Sequence, residues 1–175
     1  SSNSTIKEFS YNDKLPWPVA ADTLGYSIVL RAPGQNLDPS ESTHWRASVA
    51  PGGTPGSSDG TLLAGNPTDD LDSDGLNALL EHALGSSDND ATQSGPPSAS
   101  RIIIGGILYD SFTYTVREVA DDVRTSVETT TDLQNWSNNP DDFVDLIVTS
   151  NGDGMVTRTI RLAKPALVLS LIHIS

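Results

Sequence analysis

The chain has 175 residues, with 23 acidic against 10 basic side chains, no cysteine, and a formal net charge of −13. That length holds one domain or two small ones, and the missing cysteine excludes disulfides, thiolate metal sites and cysteine nucleophiles. A surface this negative repels nucleic acid and anionic membranes and suits calcium-rich or salty surroundings. No apolar run is long enough to insert in a membrane, no signal peptide opens the chain, and Ser1 is not a start methionine, so both ends read as cuts.

Residues 6–11 alternate as a strand would, with Ile6, Glu8 and Ser10 against Lys7, Phe9 and Tyr11. The run Lys14-Leu15-Pro16-Trp17-Pro18 is a turn-rich connection, because each proline removes a backbone donor. Residues 26–31 predict a second strand with Tyr26, Ile28 and Leu30 on one face. A long irregular run follows, including Asp38-Pro39, His44-Trp45-Arg46 and Ala50-Pro51-Gly52-Gly53-Thr54-Pro55-Gly56. The glycines there come without a following G-K-[ST], so they make no phosphate-cradling loop. Trp17 and Trp45 are sugar-stacking candidates, although packing is the commoner fate of an indole. Residues 57–68 form a polar link.

The most informative stretch is Asp70-Leu71-Asp72-Ser73-Asp74-Gly75-Leu76-Asn77-Ala78-Leu79-Leu80-Glu81, which fits the calcium-loop pattern D-x-D-x-D-G-x5-E without mismatch. Asp70, Asp72 and Asp74 alternate, so a curling backbone turns their carboxylates onto one hard cation. Gly75 allows the sharp turn, Leu76 offers its backbone carbonyl, and Glu81 closes the site with both oxygens. Ala78 supplies no side-chain oxygen, so water fills its place. Asp74 is a fitting N-cap for a helix carrying Leu76, Leu79, Leu80 and Leu84 at helical spacing, and Gly85 is the expected stop. The competing reading is an acidic turn that caps a short helix without metal. Gly65-Asn66-Pro67-Thr68 cannot be an entering helix, so the pattern predicts a loop with one helix and not a paired EF-hand.

Residues 86–100 are a second polar link, rich in Ser, Asp, Gly and Pro, so flexible joints are expected on both sides of the helix. Beyond it the patterns turn to β: residues 101–104 stopped by Gly105-Gly106, alternation over 112–117, then 123–130, 143–150 and 155–162. Asn151-Gly152-Asp153-Gly154 is a strong hairpin signal between the last two. About five strands at this spacing suggest a small antiparallel sandwich, with Trp136 plugging its end or, alternatively, stacking on sugar.

Three spaced elements, Ala21-Asp22-Thr23-Leu24-Gly25-Tyr26-Ser27-Ile28-Val29-Leu30, Trp45-Arg46-Ala47-Ser48 and Gly53-Thr54-Pro55-Gly56, resemble the closing part of a bacterial lamin-tail domain. The resemblance implies an incomplete immunoglobulin-like piece over residues 1–58, lacking the family's earlier strands. Asp74-Gly75-Leu76-Asn77-Ala78-Leu79-Leu80-Glu81-His82-Ala83-Leu84-Gly85 resembles the "DGL-ALLEYALG" helix of large exported bacterial proteins. Phe112-Thr113-Tyr114-Thr115-Val116-Arg117, with the later Asp132-Leu133-Gln134-Asn135-Trp136, resembles their C-terminal β module. The loop itself resembles dockerin and thrombospondin-type-3 repeats. The expected organisation is mainly β: the lamin-tail-like piece, a calcium loop and helix over 59–85, a linker over 86–100, and a β module over 101–168. Residues 169–175, Leu169-Ser170-Leu171-Ile172-His173-Ile174-Ser175, match the translation of a transposase adapter from sequencing libraries, CTG TCT CTT ATA CAC ATC TC, and carry no fold information on that reading.

Nothing in the pattern points to catalysis. His44 lies near Asp38, Ser40 and Ser42, but no G-x-S-x-G elbow exists, the acidic pairs fall on metal-loop spacing or in turns, and no zinc constellation is present. His82 reads as a partly exposed packing residue, and His173 falls in the tail. The sequence therefore predicts a non-catalytic, calcium-stabilised segment of an extracellular or cell-surface protein, with Ca2+ as its ion. The alternative is a carbohydrate-binding appendage of an extracellular enzyme, whose catalytic domain would lie upstream and is missing, meeting polysaccharide or cell-surface components through Trp17, Trp45 and Trp136.

Overall fold

The computed structural model describes residues 8–93, 97–166 and 171–174. The fold is mainly β, and the strand pairs among the described residues are all antiparallel. β1 (Tyr26–Leu30) pairs with β2 (Trp45–Pro51). β3 (Ser98–Ile104), β4 (Ile107–Arg117), β7 (Met155–Leu162) and β6 (Phe143–Gly152) form a four-stranded sheet in the order β3-β4-β7-β6. β5 (Val127–Thr130) pairs with β8 (Leu171–Ile174). The helices are α1 (Ala20–Thr23) and α2 (Ala78–Leu84).

The central sheet follows from period-two patterning. Phe112 faces Ile160 and Val116 faces Val156 across β4 and β7, and all four are buried. The residues between them meet as hydroxyl pairs, Thr113 with Thr159 at 3.0 Å and Thr115 with Thr157 at 2.8 Å. Both tight hairpins lie where the turn residues demand them. Gly105 and Gly106 join Ile104 to Ile107, and Asp153 and Gly154 join Gly152 to Met155, with positive φ at all four turn positions. The adapter-like tail supplies β8, in register with β5 from Val127↔Ile174 to Thr130↔Leu171.

Several expectations change. Of the strand expected over 6–11, residues 8–11 are irregular, and Ile6 and Lys7 lie outside the described residues. Phe9 is drawn instead onto Trp45, ring centroids 5.2 Å apart and stacked, while Tyr11 meets Trp17 at 6.0 Å. Aromatic packing overrides the local alternation. His44-Trp45-Arg46, expected in an irregular run, leads into β2. Its strand character is masked in sequence because two of its three buried residues, Arg46 and Ser48, are polar.

Arg46 is 1% exposed, and its guanidinium meets Asp121 with two bonds, 2.8 and 2.7 Å, and Asp59 at 2.7 Å. Burial works against its charge, and the Asp121 and Asp59 carboxylates more than offset it, so its pKa is raised. This group anchors the segment 118–122. Arg31 donates to the Glu118 carbonyl at 2.8 Å, Thr61 N–H to the Val119 carbonyl at 2.9 Å, and Leu63 N–H to Asp122 at 2.7 Å. Val119 is fully buried beneath Gly154, where any Cβ would overlap its methyl groups. The expected flexible joint before the helix is thus held at Asp59, Thr61 and Leu63.

Candidate metal centre

The loop before α2 is shaped by its own side chains. Asp72 accepts from Asp74 N–H at 3.2 Å, Asp74 from Leu76 N–H at 2.8 Å, and Asp70 from Gly75 N–H at 3.2 Å. Ser73 and Gly75 hold positive φ, 62° and 95°, which curls the chain. The base of the loop is closed by Ala78 N–H to the Asp69 carbonyl at 2.7 Å and Leu79 N–H to the Pro67 carbonyl at 3.1 Å.

This curl delays the helix. Asn77, not Asp74, is the N-cap, and its side chain accepts from Leu80 N–H at 3.0 Å. Asp74 stays in the loop because the positive φ of Gly75 cannot be continued into a helix. Gly85 ends α2 as expected, with φ 84°. The leucines at helical spacing do not make the buried face: Leu79 is 37% exposed, and the buried residues are Ala78, Glu81 and Ala83. Small alanines let a seven-residue helix approach its neighbours closely.

Of the sequence-predicted ligands, Asp70, Asp72 and Asp74 come together with one carboxylate oxygen each, all within 4.8 Å of one another. Two oxygens bound to one calcium at about 2.3–2.6 Å are at most about 5 Å apart, so this spacing suits that ion. Glu81 is not gathered with them in that group; it feels the charges of Asp72 and Asp74, is 1% exposed, and neither of its oxygens has a hydrogen-bond partner. The Asp72 Oδ2 is likewise buried and unpartnered. Burial holds the Glu81 carboxyl above its ordinary range. The Ser86 hydroxyl pulls the other way from a position that makes no well-formed hydrogen bond, and the charges of Asp72, Asp74 and Asp88 push it up further. A buried carboxylate without a donor is costly, and a divalent cation is the ligand chemistry that relieves it. The acidic donor set, all oxygen, fits a hard ion such as calcium. Leu76 sits at the loop position whose carbonyl would join them.

The helix is fastened to the β module. Arg117 on β4 donates to the His82 carbonyl at 3.0 Å, and the His82 ring lies 3.5 Å from the Asp122 carboxylate, too loose for a hydrogen bond. A Cβ on Gly85 would collide with Met155 on β7.

The sequence reasoning missed Asp88, whose Oδ1 accepts from Leu71 N–H at 3.0 Å, at the start of the loop. Its only sequence signal is an acidic pair, Asp88 and Asp90, shortly after the helix stop.

The tryptophans separate. Trp17 is 7% exposed, and Trp45 is half-buried with its indole N–H donating to the Pro39 carbonyl at 2.9 Å. Trp136, expected to plug the sandwich, keeps 41% of its surface exposed. His44 spends its ring nitrogen on the Asp38 main-chain carbonyl at 2.7 Å, and the Asp38 carboxylate accepts from Ser40 N–H, which is a turn and not a charge relay. No helix among the described residues is long and apolar enough to cross a membrane. No protein-family model, curated protein or solved structure matches the chain.

Proposed function

We propose that this chain is a non-catalytic structural and interaction segment of a larger secreted or cell-surface bacterial protein, and that calcium stabilises it. The observation that carries the reading is the Glu81 carboxylate, buried with both oxygens unpartnered and facing the charges of Asp72 and Asp74, which gather with Asp70. The lamin-tail-like and β-module resemblances support its export and its place as an appendage. Asp70, Asp72, Asp74, Glu81 and the Leu76 carbonyl hold the ion. The ion cancels their mutual repulsion and fixes the loop against the start of α2. Through Arg117 and His82 that order passes to the sheet.

Affinity is modest, on the order of 10⁻⁵ to 10⁻³ M, because extracellular modules work at high calcium and Ala78 adds no ligand. Magnesium competes poorly, since it demands tighter octahedral geometry. Calorimetry of the full chain tests this. The wild type takes up calcium with heat and a raised melting temperature, and Asp72→Ala combined with Glu81→Gln loses both. No heat and no shift at millimolar calcium would leave only the acidic turn capping a helix.

A second reading, binding of polysaccharide, is favoured by Trp136 alone, whose indole is the one of the three left substantially open. Retained stability with lost retention on an insoluble polysaccharide in Trp136→Ala would support it.

A further inference from the structure

We propose that Asp88, in the turn that follows α2, is a further ligand to the cation held by the loop; the inference rests on the calcium reading above. The turn after α2 is what brings it there. Gly85 N–H and Ser86 N–H both donate to the Glu81 carbonyl, at 2.7 and 3.0 Å, and the left-handed Gly85 reverses the chain toward the loop. Asp88 then reaches the amide of Leu71, the residue between the first two loop ligands, with Oδ1 at 3.0 Å. One carboxylate oxygen is thus pinned against the loop. The other has no hydrogen bond among the described residues.

The hydrogen bond from Leu71 holds one oxygen of this carboxylate, and it does nothing to offset the negative charge gathered around it. Asp88 acts by charge on Glu81, which Asp72 and Asp74 also crowd. Glu81 is 1% exposed with neither oxygen satisfied, and the Ser86 Oγ between the helix and Asp88 is buried without a partner too. Like charges gathered around unpartnered buried oxygens repel one another, and a divalent ion turns that repulsion into attraction. The loop pattern lacks an oxygen at Ala78, so the coordination sphere has room for one more donor. Calcium takes about 6–8 oxygens in flexible geometry and accepts a donor from outside a loop. The site on this view draws ligands from both ends of α2, and the ion staples the helix at its start and its finish.

The test is Asp88→Asn in the full chain, because asparagine keeps an oxygen to accept from Leu71 N–H and removes only the charge and the ligand. Asp90→Asn is the control, since Asp90 is occupied by Thr92 and Gln93. Calcium calorimetry is expected to give a dissociation constant on the order of tenfold weaker for Asp88→Asn and unchanged for Asp90→Asn. Terbium luminescence lifetimes in H₂O and D₂O are expected to count an additional bound water in Asp88→Asn. Wild-type affinity in Asp88→Asn, or an equal loss in both variants, overturns the inference while leaving the loop as a calcium site. Absence of calcium heat in the wild type removes the calcium reading itself, and this inference with it.

Discussion

Glu81→Gln should change the sign of its effect when calcium is added. Without metal, Glu81 is a buried carboxylate with no donor to either oxygen, facing Asp72 and Asp74. Glutamine removes the charge and nearly preserves the shape. A buried polar group without a partner costs about 1–3 kcal/mol and more when charged, and glutamine still leaves an unpartnered amide, so only about 1 kcal/mol of the penalty is relieved. A gain of about 1 kcal/mol raises the melting temperature of a chain this size by about 2–4 °C. With calcium at a hundredfold excess over its dissociation constant, the wild type gains about 2.7 kcal/mol by mass action. The variant has lost a two-oxygen ligand and gains much less. The melting order of the two proteins therefore inverts between chelator and millimolar calcium, which differential scanning calorimetry reads directly. A variant that melts below the wild type in chelator, or equal calcium shifts in both proteins, would refute the reasoning.

The buried ion group gives the next expectation. Arg46→Met strands Asp59 and Asp121 without their cation and should cost about 3–5 kcal/mol in urea unfolding, most of it recovered when both aspartates are also made Asn. Loss below about 1 kcal/mol would show that the group is not a keystone. The same group sets a pH dependence. Burial raises the Asp59 pKa, but its bonds from Arg46, Thr54 and the Val49 N–H outweigh that and leave the folded value below the unfolded one. Its contribution is therefore present above the unfolded carboxylate value and lost as pH falls through the folded one, and Arg46→Met should flatten that acid limb. Trp17→Ala should cost about 3–5 kcal/mol, whereas the half-open Trp136 should cost clearly less; equal losses in chemical denaturation would contradict the burial pattern. Deleting Leu169 to Ser175 should leave the melting temperature nearly unchanged, because among the described strands β8 pairs with the short β5 and a lone strand pair is marginal. A drop of several degrees would make it a true strand, and the same codons in an independently assembled genome would end the adapter explanation.

Features set by neighbouring residues were legible in the sequence. The hairpins at Gly105-Gly106 and Asp153-Gly154 follow from which residues tolerate positive φ, and the strand 155–162 agrees with β7 at both ends because its turn and alternation coincide. The spacing of Asp70, Asp72 and Asp74 likewise fixed their gathering, since a curl of that length leaves the carboxylates nowhere else to converge. Tertiary structure decided what depends on distant partners. It buried Arg46 between residues 13 and 75 positions away, turning a polar position in an apparently irregular run into a buried ion group. Aromatic packing took Phe9 out of its strand alternation. The loop's own hydrogen bonds moved the helix cap from Asp74 to Asn77. The reversal at Gly85 carried Asp88 back over Leu71, seventeen residues away in sequence. Local spacing specifies backbone conformation, whereas burial and charge pairing depend on which surfaces meet, and no window of sequence contains both sides of such a contact.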